Sequence, residues 1–283
     1  MREIEVNKSL FNNALGLSCI ENYLLYILAA RRYDYRYLYA ESFVPFFDIA
    51  QALHSECVRY AYFNGIPRIM DTARNEGLIS LHITEKFAEA ALSYDYCCAK
   101  VVPEYIKARY GRDFWRDDHY ILLCGQNEKG WIFVNDNPRD VIELSGEELS
   151  QVYGGRTLCF NILEDVNERI KEDLLERFKK SIAVSTASNK TCDLSIGSLE
   201  TARDILGILR VTRKRIREYC SIYIDADFMK EYLSRLDKSY AALEYMRLRG
   251  NVDFDVINQM FETLGTNDFE TIGLIVKGME GTP

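Results

Sequence analysis

The chain has 283 residues, of which 48% are apolar and 28% charged, a balance that supports a sizeable buried core and excludes an intrinsically disordered protein. A net charge of −8 argues against nucleic-acid binding by the surface at large. No uncharged apolar run reaches the roughly 18 residues that a membrane-spanning helix needs.

The opening MREIEVNKSL has no apolar core of the kind a secretory signal carries, so the expectation is a cytoplasmic protein with no membrane association. From there the spacing predicts a helix beginning near Cys19. Ile20, Tyr23, Leu24, Ile27 and Leu28 share one face, and Arg31-Arg32 suit the helix end. Residues 41–63 continue in helical pattern up to the turn at Gly65 and Pro67, and TEKFAEAALS (84–93) reads as a further helix. YCCAKVVP (96–103) reads as a strand stopped by Pro103, with one cysteine of Cys97-Cys98 facing inward and the other outward. HYILLCG (119–125), QNEK and GWIFVND (130–136) read as a buried hairpin, and TLCFNIL (157–163) as another strand. Beyond residue 163 the pattern turns to charged amphipathic helices over 165–182, 197–221, 226–249 and 254–279, with a polar break at 183–196. The expected organisation is an α+β catalytic domain over 1–163 and a helical domain over 164–283.

Eight cysteines occur without CxxC pairs, and His54, His82 and His119 are the only histidines. Free thiols are expected, with no metal site and no bound cofactor. Cys19 stands apart from the other thiols. Ser18-x-x-Glu21 fits a capping box, which puts Cys19 in the first helical turn behind Gly16, where unpaired backbone N–H groups and the helix dipole favour a thiolate. A nucleophilic thiol needs a base, and His119 opens a buried strand, an unusual place for imidazole. With QNEK as a four-residue loop, position numbers across the hairpin sum to 255 and His119 faces Asp136; a loop one residue longer or shorter puts Asn137 or Asn135 there, and asparagine also orients an imidazole. An oxyanion hole would take the Cys19 N–H and an upstream amide, Asn13, or Asn12 if the turn is wound differently.

These features resemble a known family. Cysteine at a helix start, HYILLCG, a short loop and GWIFVND look like the papain-like fold in its double-glycine (bacteriocin-processing) peptidase variety. The closer resemblance is to the family of the N-terminal domain of butirosin biosynthesis protein H, over about residues 10–163. It rests on Cys19-Ile20-Glu21, YCCAKVVPEY (96–105), His119-Tyr120, Asp136 and LSGEEL (144–149). The resemblance implies a papain-like cysteine-protease fold and a triad of Cys19, His119 and Asp136. It also implies acyl transfer in secondary metabolism, from the phosphopantetheine thioester of an acyl or peptidyl carrier protein, through acyl-Cys19, to a small-molecule amine. A cysteine peptidase or thioesterase of the same fold, or a catalytically silent binder of a carrier protein or peptide, are the alternative expectations.

In the helix 197–221, Arg210, Arg213, Lys214 and Arg217 fall on one face, which would dock an acidic partner such as a carrier protein.

Overall fold

A computed structural model describes residues 4, 15–56, 69–111, 119–163, 167–187 and 195–280. In chain order it forms α1 (Cys19–Ala30), a 3₁₀ helix (Tyr35–Ser42), α2 (Phe46–Glu56), α3 (Ile69–Asn75), β1 (Ile79–Thr84) and α4 (Phe87–Ser93). There follow β2 (Tyr96–Val101), α5 (Pro103–Tyr110), β3 (His119–Asn127), β4 (Gly130–Asn135), β5 (Asp140–Leu144), α6 (Gly146–Val152) and β6 (Tyr153–Ile162). Four long helices end the chain: α7 (Glu168–Ala187), α8 (Leu199–Cys220), α9 (Met229–Arg249) and α10 (Phe254–Met279). The architecture is α+β, with an antiparallel six-stranded sheet and an all-helical C-terminal region.

The chain divides into two compact units, residues 1–35 with 70–166 and residues 36–69 with 167–283. The second break lies close to the expected boundary at 163/164. The first does not appear in the hydropathy pattern: residues 36–69, assigned from sequence to the catalytic domain, belong with the C-terminal helices.

In the first unit the strands run in the order β1-β6-β2-β3-β4-β5, every pair antiparallel. One face of the sheet, carrying Cys97, Ala99, Val101, Ile121, Leu123 and Phe133, packs against Phe87 and Ala90 of α4, Ile106 of α5 and Leu149 of α6. Alternation then turns Cys98, Tyr120 and Leu122 the other way. These too are buried, Cys98 completely, so the expected outward-facing cysteine of the Cys97-Cys98 pair is absent. Helices cover both faces, which is why β3 reads as a continuous apolar run.

Short elements follow local rules. Pro103 stops β2 and opens α5 at its first turn, where a missing N–H costs nothing. The LSGEEL segment forms a capping box, with the Ser145 Oγ accepting from Glu148 N–H and the Glu148 carboxylate accepting from Ser145 N–H. Thr84, read from sequence as a helix start, ends β1, and α4 begins only at Phe87; His82 therefore lies on a strand, stacked on Tyr94. The hairpin between β3 and β4 turns on two residues, Glu128-Lys129. The Asn127 side chain accepts from the N–H groups of Lys129 and Gly130. Gly130 has φ +147°, and a Cβ there would overlap the Leu144 carbonyl.

In the second unit, α8 carries an unusual buried cation. Arg213 is fully buried and forks onto Asp268 of α10, Nε to Oδ1 at 2.7 Å and Nη2 to Oδ2 at 2.8 Å. Nη2 also donates to the Val44 carbonyl at 2.8 Å, and the guanidinium lies over the Phe43 ring. One side chain thus ties α8 and α10 to the segment before α2, one of several contacts that join residues 36–69 to the C-terminal helices. No described helix is long and apolar enough to cross a membrane.

Candidate active site

The N-terminus of α1 forms as its sequence dictates. Ser18 is the N-cap, its Oγ accepting from Glu21 N–H at 3.2 Å, so Cys19 is the first helical residue. The buried Glu21 carboxylate closes the turn one residue further back than in a standard capping box, accepting from Leu17 N–H at 2.7 Å.

This end of α1 meets the start of β3. The Tyr120 N–H is directed at the Cys19 sulfur, and the Tyr120 carbonyl accepts from the Tyr23 hydroxyl at 2.7 Å. The N–H and C=O of one strand residue point to the same side. Here they point past the end of β4 at Asn135, and α1 takes the place of a continuing strand. The Asp136 N–H, on the segment leaving β4, is directed at the same Tyr23 hydroxyl. Cys19 and Tyr23, one helical turn apart, therefore sit between two strands that have begun to separate.

His119 is buried, and its Nε2 lies 2.6 Å from the Asn135 Oδ1. The Asn135 amide is itself oriented, because its Nδ2 donates to the Pro138 carbonyl at 2.7 Å. Its oxygen must then face the ring, which assigns the proton of neutral His119 to Nε2 and the lone pair to Nδ1. This corrects the expected His119–Asp136 pairing. With a two-residue turn, position numbers sum to 257 near the turn and, past a bulge at Cys124, to 256 at Leu122↔Val134, where the pairing ends; strand register therefore does not give the partner of His119, and the side-chain contact does. Asparagine at 135, one of the two alternatives in the sequence reading, orients the imidazole.

Asp136 is directed toward α1, where its Oδ2 accepts from Asn22 Nδ2 at 2.8 Å. The Cys19 thiol is pushed up to about 12, first by burial and then by the negative charge of Asp136, against the lowering effect of the backbone N–H groups of Tyr120 and Ile20. The expected stabilisation of a thiolate by the helix start is present but is outweighed. A folded-state value raised above the unfolded one means that this thiol favours folding below about pH 9 and that the contribution is lost as pH rises toward 12.

Asn22, buried three residues after Cys19, was not singled out from the sequence, although a polar residue amid the buried positions of α1 was the available signal. It also explains Gly16. A Cβ at position 16 would overlap the Asn22 amide, which is held on its other side by Asp136. Gly16→Ala should therefore destabilise the fold by about 1–3 kcal/mol, as overpacking of a well-filled site does, measurable as a lowered urea midpoint.

Asn13 and Asn12, proposed for the oxyanion hole, lie outside the described residues. The described cysteines, Cys19, Cys97, Cys98, Cys124, Cys159 and Cys220, are free thiols, and the Cys97 and Cys159 sulfurs lie 3.7 Å apart across β2 and β6. Among the described residues no group of three or more acidic, histidine or cysteine side chains is arranged to hold a metal ion.

The basic face of α8 needs correction. Arg213 is inside the unit, bound to Asp268. Arg210 and Lys214 both pair with Asp237 of α9, at 2.6 and 3.2 Å, and Arg217 lies 3.7 Å from Asp227. Along this side α8 packs on its neighbours: Arg213 is enclosed with its own carboxylate, Arg210 and Lys214 share one, and Arg217 approaches another.

Compared with known proteins, the chain matches no family model and none of the curated sequences.

Proposed function

We propose that the chain is a cysteine-dependent acyltransferase of papain-like architecture, working through an acyl-Cys19 intermediate. The observation that carries this reading is the fixed tautomer of His119: Asn135 holds Nε2–H, so the lone pair is on Nδ1, and the next residue of the strand, Tyr120, presents its N–H to the Cys19 sulfur. The base and the N–H that meets the nucleophile's sulfur thus come from adjoining backbone positions, 119 and 120, at the start of β3, which supports this reading.

In this reading Cys19 Sγ attacks the carbonyl of a carrier-bound thioester while the thiol proton passes to His119 Nδ1. Collapse of the tetrahedral intermediate expels the carrier's thiol, which takes the proton back. Sulfur replaces sulfur, so the exchange is close to thermoneutral. An amine then attacks acyl-Cys19, His119 removes its proton, and the Cys19 thiol leaves as an amide forms. Because the resting thiol is held protonated, proton transfer accompanies attack instead of preceding it. The carrier protein as donor and the small-molecule amine as acceptor rest on the sequence resemblance, without support from the basic face of α8.

One observation favours a second reading. Burial and the Asp136 charge both oppose a Cys19 thiolate, as suits a catalytically silent protein that binds a carrier or peptide. Intact-mass spectrometry of the full chain with acyl-loaded carrier protein separates the two. An added acyl mass located to Cys19, discharged by an amine, is the expected result. Donor binding with neither adduct nor loss of thioester would establish the silent binder, and carrier-independent cleavage of a peptide would establish a peptidase.

A further inference from the structure

We infer that Asn22 is a positioning residue: its side-chain amide fixes the Asp136 carboxylate beside the Cys19 sulfur and so sets the charge that the nucleophile experiences. The inference rests on the reading of Cys19 as the reacting group. Three observations carry it. Asn22 lies one turn from Cys19 on the same helix and is 8% exposed, and its Nδ2 donates to Asp136 Oδ2 at 2.8 Å, across 114 positions of sequence. Gly16 lies so close to the opposite edge of that amide that no Cβ fits, which keeps the amide from swinging away from the carboxylate. Finally, the Asn22 Oδ1 is buried with no hydrogen-bond partner among the described residues. An amide kept at that expense, when leucine would fill similar volume, is retained for its single donated bond.

The electrostatic consequence is specific. Among the described residues, the charged and titratable groups that act on this pair or on its neighbours include Cys19, Glu21 and Tyr23 of α1 and Cys98 of β2. Glu21 is turned back onto Leu17 N–H. Asp136 is a charged side chain that raises the Cys19 thiol, and a neutral donor tethers it to the same helix. Removing the tether lets the carboxylate move off and makes the thiol more acidic.

The test is the rate of Cys19 alkylation by iodoacetamide between pH 7 and 10, read by peptide mass spectrometry on the full-length chain. Each unit by which the thiol becomes more acidic raises the thiolate population about tenfold and lowers its nucleophilicity about threefold, for a net gain of about threefold. Asn22→Leu should therefore alkylate at least about threefold faster than wild type, and Asp136→Asn faster still. In the Asp136→Asn background, Asn22→Leu should add nothing. Simple loosening of the site would give the same acceleration in both backgrounds and would overturn the inference, as would an unchanged rate in Asn22→Leu. Should Asn22→Leu not fold, Gly16→Ala displaces the same amide and must show the same dependence on Asp136. Alkylation needs no turnover, so failure of this inference is distinguishable from failure of the acyl-transfer reading, which the carrier-protein adduct tests.

Discussion

Cys19→Ala should lower acyl transfer by about 10⁴-fold or more, the scale of loss when a covalent nucleophile is removed, while leaving the chain folded. The two effects separate because the sulfur's structural role is small. It receives the Tyr120 N–H, a bond worth about 1 kcal/mol, whereas the Tyr120 carbonyl keeps its bond from Tyr23. Turnover by acyl adduct and amide formation, measured beside a urea unfolding curve, gives both numbers on one sample. His119→Ala should follow Cys19→Ala in activity. Asn135→Ala should cost less, since it frees the imidazole to adopt either tautomer without removing the base. Full activity in Cys19→Ala would remove the basis for the proposed function.

Arg213→Met should destabilise the helical unit by about 3–5 kcal/mol, because it leaves the Asp268 carboxylate buried without its partner. The pair is 0% and 5% exposed at its two side chains, and the guanidinium also serves the Val44 carbonyl, so the loss reaches three segments. Asp268→Leu alone should be similarly costly, stranding the cation. The double replacement, Arg213→Met with Asp268→Leu, should recover most of the loss, since an apolar pair of similar volume avoids the desolvation that the ion pair must offset. Urea midpoints of the four proteins form a double-mutant cycle, and additive losses would show that the two groups do not act as a pair. Arg210→Ala, on the partly exposed Asp237 contact, is the control and should shift the midpoint little.

Much of the local structure was legible because its causes are local. Ser18 and Glu21 announce the helix start that puts Cys19 in its first turn, Pro103 the end of β2, and the 3.6-residue periodicity the four C-terminal helices, α10 at its observed bounds of Phe254–Met279. Strands β1 and β5 were not read. ISLHIT carries its histidine half-way along and runs straight into the TEKF helix pattern, and DVIEL is five residues between a turn and a capping box. The His119 partner was missed because the paired register ends at Leu122↔Val134, so that counting across the hairpin does not reach the side-chain contact of Asn135 with the ring.

By itself, then, the sequence determined that a helix begins at Cys19, which runs pair as a buried hairpin, and that a thiol near the amino end and a histidine in mid-chain are the groups to examine. Tertiary structure decided what surrounds them. It chose Asn135 over Asp136 for the imidazole, brought Asp136 onto Asn22 of the helix that carries the thiol, and took Arg213 from a supposed docking face into the interior. The reason is one of range. Capping and periodicity act over three or four residues, whereas the acidity of a thiol and the burial of a guanidinium depend on charges and solvent exclusion supplied by segments tens to more than a hundred positions away.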